Sequence, residues 1–119
     1  MADRPQPRRG EVWWVKPGKT AGAELQEKRS YVVISADAMG NVPVKIVVPP
    51  KTWQDRFEGW AWMVRIEPTE ANGLKRTEAA DVMQVKSVDT GEFVERQGRL
   101  SADELDEIAA ALAIVAEYD

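Results

Sequence analysis

A polar, charged loop, Gly22-Ala23-Glu24-Leu25-Gln26-Glu27-Lys28-Arg29, runs without a break into Ser30-Tyr31-Val32-Val33-Ile34-Ser35. The near-continuous β-branched run Tyr31–Ser35 has no polar face to offer water, so it reads as a central strand covered on both sides. That strand fixes the middle of the fold. The loop's charges stop where the strand begins, which holds Glu24 and Arg29 at a sheet edge rather than in a core.

Around this strand the pattern is that of a small β domain. Glu11–Val15 is a short strand in which Trp13 and Trp14 point to opposite faces, one expected in the core and the other at an interface. Lys16-Pro17-Gly18-Lys19 and Met39-Gly40-Asn41 are turn signals. Val44–Val48 is a strand stopped by Pro49-Pro50, and Lys51–Glu58 is a charged loop carrying Trp53 and Phe57. Trp60–Ile66 alternates, with Trp60, Trp62, Val64 and Ile66 on one face and Ala61, Met63 and Arg65 on the other, as in a half-buried antiparallel strand. Asn72-Gly73 is a strong turn, Ala80–Val85 a fifth strand, and Asp89 with Glu92 a cap for a short helical turn. Ser101-Ala102-Asp103-Glu104 is a capping box. Leu105, Ile108, Ala109, Leu112, Val115 and Ala116 follow it as one apolar stripe of an amphipathic helix. Five or more short strands with one terminal helix predict a mainly β fold with α, a small, strongly curved antiparallel sheet or barrel. Residues 1–9, rich in proline and charge, are expected to be a flexible arm and 10–119 a single domain.

What the sequence lacks excludes whole classes of chemistry. There is no cysteine and no histidine, so disulfides, thiol nucleophiles and a ribonuclease built on a histidine pair are impossible. The acids show no EF-hand-like spacing, and neither a metal nor a cofactor is expected. No apolar run approaches a membrane span and the N-terminus has no apolar signal region, so a cytoplasmic protein without membrane contact is the expectation. The net charge of −4 argues against a polyanion ligand until its distribution is read. From Ser101 onward there are six acids and no Lys or Arg, which leaves 16 basic against 14 acidic groups elsewhere. A basic region near the first loop, apart from an acidic helix, suits a polyanion. Charges that only keep the surface soluble account equally well for these counts.

Arg29 is the leading candidate for chemistry. The planar fork of a guanidinium matches phosphate oxygens and steadies the extra charge of a pentacoordinate transition state. A surface arginine paired with Glu24 or Glu27 is the plainer alternative. Glu24 either accepts a ribose 2′-hydroxyl proton or, as a solvated acid, orients Arg29. Lys28 either binds an adjacent phosphate or is solvated. Lys51 and Thr52, after the Val48-Pro49-Pro50 strand end, supply a cation and a hydroxyl. Trp53, Phe57 and Trp60 stand in or beside a loop containing Arg56, where exposed aromatics among cations stack unpaired bases. Alternation assigns Trp60 and Trp62 to packing and leaves Trp53 as the exposed one. Gln84 either contacts RNA or satisfies backbone groups at a strand end.

Four motifs in order resemble those of the MazF/PemK (Kid) family, the toxin endoribonucleases of toxin–antitoxin pairs. They are Gly10-Glu11-Val12-Trp13-Trp14-Val15, the stretch from Gly22 to Ser35, Val48-Pro49-Pro50-Lys51-Thr52, and Gln84-Val85-Lys86-Ser87-Val88-Asp89. The likeness runs from about Gly10 to the C-terminal helix. It implies an SH3-like antiparallel β-barrel with a C-terminal helix, MazF/CcdB-like and usually homodimeric. It also implies a metal-independent endoribonuclease that cuts single-stranded RNA at a short sequence, leaving 2′,3′-cyclic phosphate and 5′-hydroxyl ends. A cognate MazE-like antitoxin, acidic and partly disordered, would occupy the RNA groove. Carried over by position, Arg29 is catalytic and Glu24 is the loop glutamate. The hydroxyl that bonds the reacting phosphate falls at Lys51, with Thr52 adjacent. Gln26, Lys28, Trp53, Arg56, Gln84 and Lys86 are the RNA-binding candidates. Two residues depart from the pattern. Ser30 replaces the usual proline and leaves the backbone beside Arg29 freer, and Lys51 stands where threonine or serine is usual. They keep open a catalytically weakened RNA- or antitoxin-binding module, and the shared barrel keeps open a CcdB-like toxin that binds a topoisomerase without cutting RNA.

Overall fold

The computed structural model describes residues 5–18 and 27–118. Among these, the chain forms β1 (Glu11–Val15), β2 (Arg29–Val33), β3 (Val44–Val48), β4 (Pro50–Thr52), β5 (Met63–Ile66), β6 (Glu78–Asp81), β7 (Lys86–Asp89), β8 (Phe93–Arg99) and the helix α1 (Ala102–Val115). The strands make a five-stranded sheet in the order β7-β3-β2-β1-β8 and a three-stranded sheet in the order β4-β6-β5. Every strand pair is antiparallel. The class is the expected one, mainly β with a C-terminal helix. The strands form two sheets, however, and not a closed barrel.

β2 lies at the centre of the larger sheet, as its apolar run requires, with Tyr31, Val32 and Val33 buried. It ends two residues earlier than expected because the Ile34 and Ser35 amides both donate to the Ile46 carbonyl, which breaks the regular ladder. Period-2 alternation sends the two faces of this sheet into two cores. Val12, Val32 and Val48 join Val64, Ile66 and Ala80 of the small sheet and Ile108 and Ala111 of α1. Val15, Tyr31, Val33, Val47, Val88 and Phe93 pack on the other face, with Trp13 edge-to-face against Phe93. Trp13 and Trp14 thus divide as their alternation demands: Trp13 covers a core and Trp14 turns to a surface cleft.

Three boundaries differ from the sequence pattern. β5 begins only at Met63, because Trp60 closes a turn on the Phe57 carbonyl and Met63 closes another on Trp60. β6 ends at Asp81 and Val82–Gln84 coil into a 3-10 turn. β3 stops at Val48 before the two prolines, as expected, but the segment expected to be a loop from Lys51 begins inside β4, an edge strand opened by Pro50, where a missing amide donor costs nothing to the ladder. The capping box forms as expected, with the Glu104 amide donating to Ser101 Oγ and the Ser101 amide to Glu104 Oε1. Leu105, Ile108 and Ala111 are the buried side chains of α1. In the segment expected to be an arm, Pro7 is buried and the Arg8 and Arg9 amides donate to Glu11 and Asp37. No helix among the described residues is long and apolar enough to cross a membrane.

Candidate active site

Pairing of Val32 with Val48 brings the Pro49-Pro50 corner beside the start of β2, and pairing of Thr52 with Glu78 brings β6 beside β4. A cleft of about 530 Å³ opens between these elements. Lys28, Arg29 and Ser30 of the β2 start line it, together with Lys51 and Thr52 of β4 and with Leu74, Lys75, Arg76 and Glu78 from the turn before β6 and its first residue. Trp14 and Gln97 also line it.

Arg29 is exposed, is the first residue of β2, and sits opposite Val15 of β1. No carboxylate pairs with it among the described residues. Its backbone is fixed by the ladder while its guanidinium meets no carboxylate of the described residues, which is what a phosphate clamp needs. The Lys28 ammonium stands 5.3 Å from the centre of the Trp14 ring, within cation–π range. Ser30 is not the loose joint that the loss of proline suggests. Its hydroxyl donates to Gln97 Oε1 at 2.6 Å, and Gln97 Nε2 donates to the Gly73 carbonyl at 3.1 Å. One amide side chain thereby ties β2, β8 and the Asn72–Gly73 turn together behind Arg29.

Lys51 and Thr52 have different fates. Lys51 Nζ lies 3.0 Å from Asp81 Oδ2, and the Asp81 side chain is only 5% exposed. Its charge is neutralised there, and Asp81 Oδ1 is left buried without a hydrogen-bond partner among the described residues. Thr52 is exposed and lines the cleft, and its hydroxyl makes no hydrogen bond to the described residues. Of the two, Thr52 is thus the one whose side chain the described residues leave unengaged.

The remaining candidates lie elsewhere. Trp53, expected to be exposed, is half-buried: it packs edge-to-face on Phe57 and the Arg65 guanidinium covers its ring at 5.1 Å. Arg56 covers Phe57 and Trp60 at 5.2 and 5.8 Å, and Trp60 stacks on Trp62. This cluster belongs to a third core with Met63 and Ala79, so the aromatics that looked like base-stacking platforms are engaged with one another. Gln84 is exposed on its 3-10 turn, and Lys86 is exposed on β7 with its ammonium 5.2 Å from the Tyr31 ring. Neither lines the cleft. Glu24 and Gln26 lie outside the described residues. No group of acids that could hold a metal ion occurs among the described residues.

The cleft also contains residues that were not among the site candidates of the sequence. Trp14 is half-buried in it, and Lys75, Arg76, Glu78 and Gln97 complete it. Its wall is stiff. Asn72 is fully buried; its Nδ2 donates to the Glu67 carbonyl and its Oδ1 accepts from the Thr69 and Leu74 amides. The Thr77 hydroxyl donates to Glu67 Oε1 at 2.7 Å and so closes the loop at its other end. That hydrogen bond, followed by the one from Arg65, holds the Glu67 carboxyl below the usual carboxylate range.

A family model described as PemK-like, MazF-like toxin of type II toxin–antitoxin system matches residues 8–116. Comparison with curated proteins gives no match. Among solved structures, the fold is similar to that of an endoribonuclease in complex with its cognate antitoxin from a mycobacterial species, 16% identical, with a TM-score of 0.74 over 96% of this chain and 98% of that one. It is similar to the Mycobacterium tuberculosis toxin MazF-mt6, 14% identical, with a TM-score of 0.71 over 92% and 98%. It is likewise similar to MazF from Deinococcus radiodurans, 21% identical, with a TM-score of 0.69 over 93% and 96%. At these identities the structures speak for the fold. The family model spans nearly the whole chain, from the arginines before β1 to the end of α1, and the protein belongs to the PemK-like, MazF-like toxins of type II toxin–antitoxin systems.

Proposed function

We propose that this toxin is an endoribonuclease that cuts single-stranded RNA at a short sequence, with Arg29 and Thr52 as the residues that meet the scissile phosphate. The observation that carries this reading is that the Arg29 guanidinium and the Thr52 hydroxyl, neither engaged by any of the described residues, line one basic cleft. In the reaction the ribose 2′-oxygen attacks the adjacent phosphorus and the bond to the 5′-oxygen breaks. The products are a 2′,3′-cyclic phosphate and a 5′-hydroxyl. Arg29 donates to the non-bridging oxygens as their charge grows, and the Thr52 hydroxyl donates to the same phosphate. The 2′-proton needs an acceptor, and the leaving 5′-oxygen takes its proton from water. Glu78 is engaged by Arg76, and it is the one described carboxylate in the cleft. The loop acid Glu24 therefore either takes the 2′-proton or holds Arg29 while water takes it.

The same cleft suits a cognate antitoxin, since an acidic segment can occupy a groove built for phosphates. A homodimer fits Val44 and Ile46, which stand exposed on β3 after Met39 and Val42 and give an apolar surface for a second copy. Action in the cytoplasm follows from an RNA substrate.

The test is incubation with a long, mixed-sequence single-stranded RNA in EDTA, followed by mapping of fragment ends. Discrete fragments with 5′-hydroxyl ends are expected. Arg29→Ala is expected to reduce the rate by about 10²–10³-fold, the usual cost of removing one donor to a developing anion. Thr52→Val, which keeps the shape and removes the hydroxyl, is expected to cost at least tenfold with folding intact. Intact RNA on two unrelated sequences, from folded and antitoxin-free protein, would overturn the reading.

A further inference from the structure

The cleft that Arg29 lines holds a second group of cations, which belongs to none of the family-like motifs. Lys75 and Arg76 follow the Asn72–Gly73 turn and line the cleft with it. Lys75 has no carboxylate partner among the described residues. Arg76 is 69% exposed and donates only through Nε, to Glu78 Oε2 at 3.3 Å, while the Glu78 side chain is 13% exposed. The carboxylate thus holds the near edge of the guanidinium, and the two terminal nitrogens have no partner among the described residues. This group does not move independently of Arg29. Gly73, with φ +69, packs so closely on Gln97 that a Cβ there would strike the Gln97 carbonyl. The Gln97 amide bonds Gly73, and its oxygen accepts from Ser30, the neighbour of Arg29.

We propose that Lys75 and Arg76 form a second phosphate subsite, which holds the phosphate next to the scissile one while the strand crosses the cleft past Trp14. This rests on the endoribonuclease reading. An arginine whose Nε is anchored and whose terminal nitrogens are open is preset to grip a phosphate through two donors, and a neighbouring ammonium adds a point charge. The Gln97 clamp sets the spacing between the two phosphate positions. The Lys28, Arg29 and Lys75 charges, which have no carboxylate partners among the described residues, together with the open edge of Arg76, give the cleft a cationic track. If Arg76 and Glu78 were instead only a solvated ion pair, the pair would contribute little to anything.

The test is the salt dependence of binding. A fluorescein-labelled, fully 2′-O-methylated single-stranded RNA 20-mer of mixed sequence is titrated by anisotropy at several KCl concentrations. It cannot be cut, because its 2′-oxygens carry no proton. Each phosphate contact on a single strand contributes about 0.7 to the slope of log affinity against log salt. Lys75→Ala and Arg76→Ala are each expected to lower the slope by about 0.7 and to weaken binding about fourfold at 0.15 M salt. Arg76→Lys is expected to keep the slope. Both positions are exposed, and unchanged melting temperatures would show that the variants fold. Unchanged slopes in variants of a protein that still cleaves unmodified RNA would overturn the subsite and leave the nuclease intact. Reduced slopes in a protein that cleaves nothing would overturn the nuclease and leave the subsite. A wild type that does not bind the 20-mer overturns both.

Discussion

The Lys51–Asp81 pair gives a stability test with an asymmetric outcome. Asp81 is nearly enclosed, with one oxygen lacking a partner among the described residues and the other 3.0 Å from Lys51 Nζ. Lys51 is 49% exposed, so its ammonium can return to water while the carboxylate cannot. Lys51→Met leaves a buried, uncompensated charge. Removing one partner of a fully buried pair costs about 3–5 kcal/mol, and solvent entering from the vacated side brings the expectation to about 3 kcal/mol. Asp81→Asn leaves a neutral buried amide and a lysine free to hydrate, at about 1 kcal/mol. The double variant should resemble Asp81→Asn alone, a coupling of about 3 kcal/mol. Urea unfolding at pH 7, followed by tryptophan fluorescence, measures all three. With a slope of about 2 kcal/mol per molar, the two single variants should separate by about 1 M in midpoint. Equal losses, or a larger loss for Asp81→Asn, would mean that Asp81 serves the 3-10 turn that follows it and not Lys51.

Two further expectations follow from the wall of the cleft. Gly73→Ala should cost about 3 kcal/mol or more, since it adds left-handed strain to a collision with the Gln97 backbone; a thermal melt shifted by less than the equivalent of about 1 kcal/mol would refute the close approach. Glu67 has a folded-state carboxyl held below its ordinary value by Thr77 and Arg65, so its contribution to stability is present above the unfolded carboxylate pKa of about 4.3 and is lost as pH falls through the folded value. The gap in melting temperature between wild type and Glu67→Gln should therefore be open at pH 7 and close on acidification, and a gap that widens in acid would contradict the assignment.

What the sequence revealed and what it hid divide along the range of the interactions. β1, β3 and the capped helix were legible because alternation, β-branching and a Ser-x-x-Glu box act within a few residues. Arg29 and Thr52 came from motif order, which carries position, and the fold brings both to one cleft. β7 and β8 were not legible: Lys-Ser-Val-Asp and Phe-Val-Glu-Arg-Gln-Gly-Arg are too polar to carry a strand signal of their own, and they become strands by pairing with β3 and β1. Trp53 was misjudged for the related reason that its neighbours Phe57, Trp60 and Trp62 supply an apolar nest of their own. Gln97 had no local signal, since its partners lie 67 and 24 residues away.

The net charge was misleading because it sums over surfaces that a ligand never sees together. None of the acids of α1 lines the cleft, and at physiological salt a field between exposed charges fades over about 8 Å. Inside the cleft the count is local. Asp81 takes up Lys51, Glu78 takes up one edge of Arg76, and Lys28, Arg29 and Lys75 remain without carboxylate partners among the described residues. The two carboxylates do not merely dilute the positive field. Each fixes one cation by its buried or half-buried oxygen, so that the hydroxyl of Thr52 and the open edge of Arg76 are left to the cleft. A chain of net charge −4 can in this way present an ordered cationic track, and the acids next to that track are among the parts that order it.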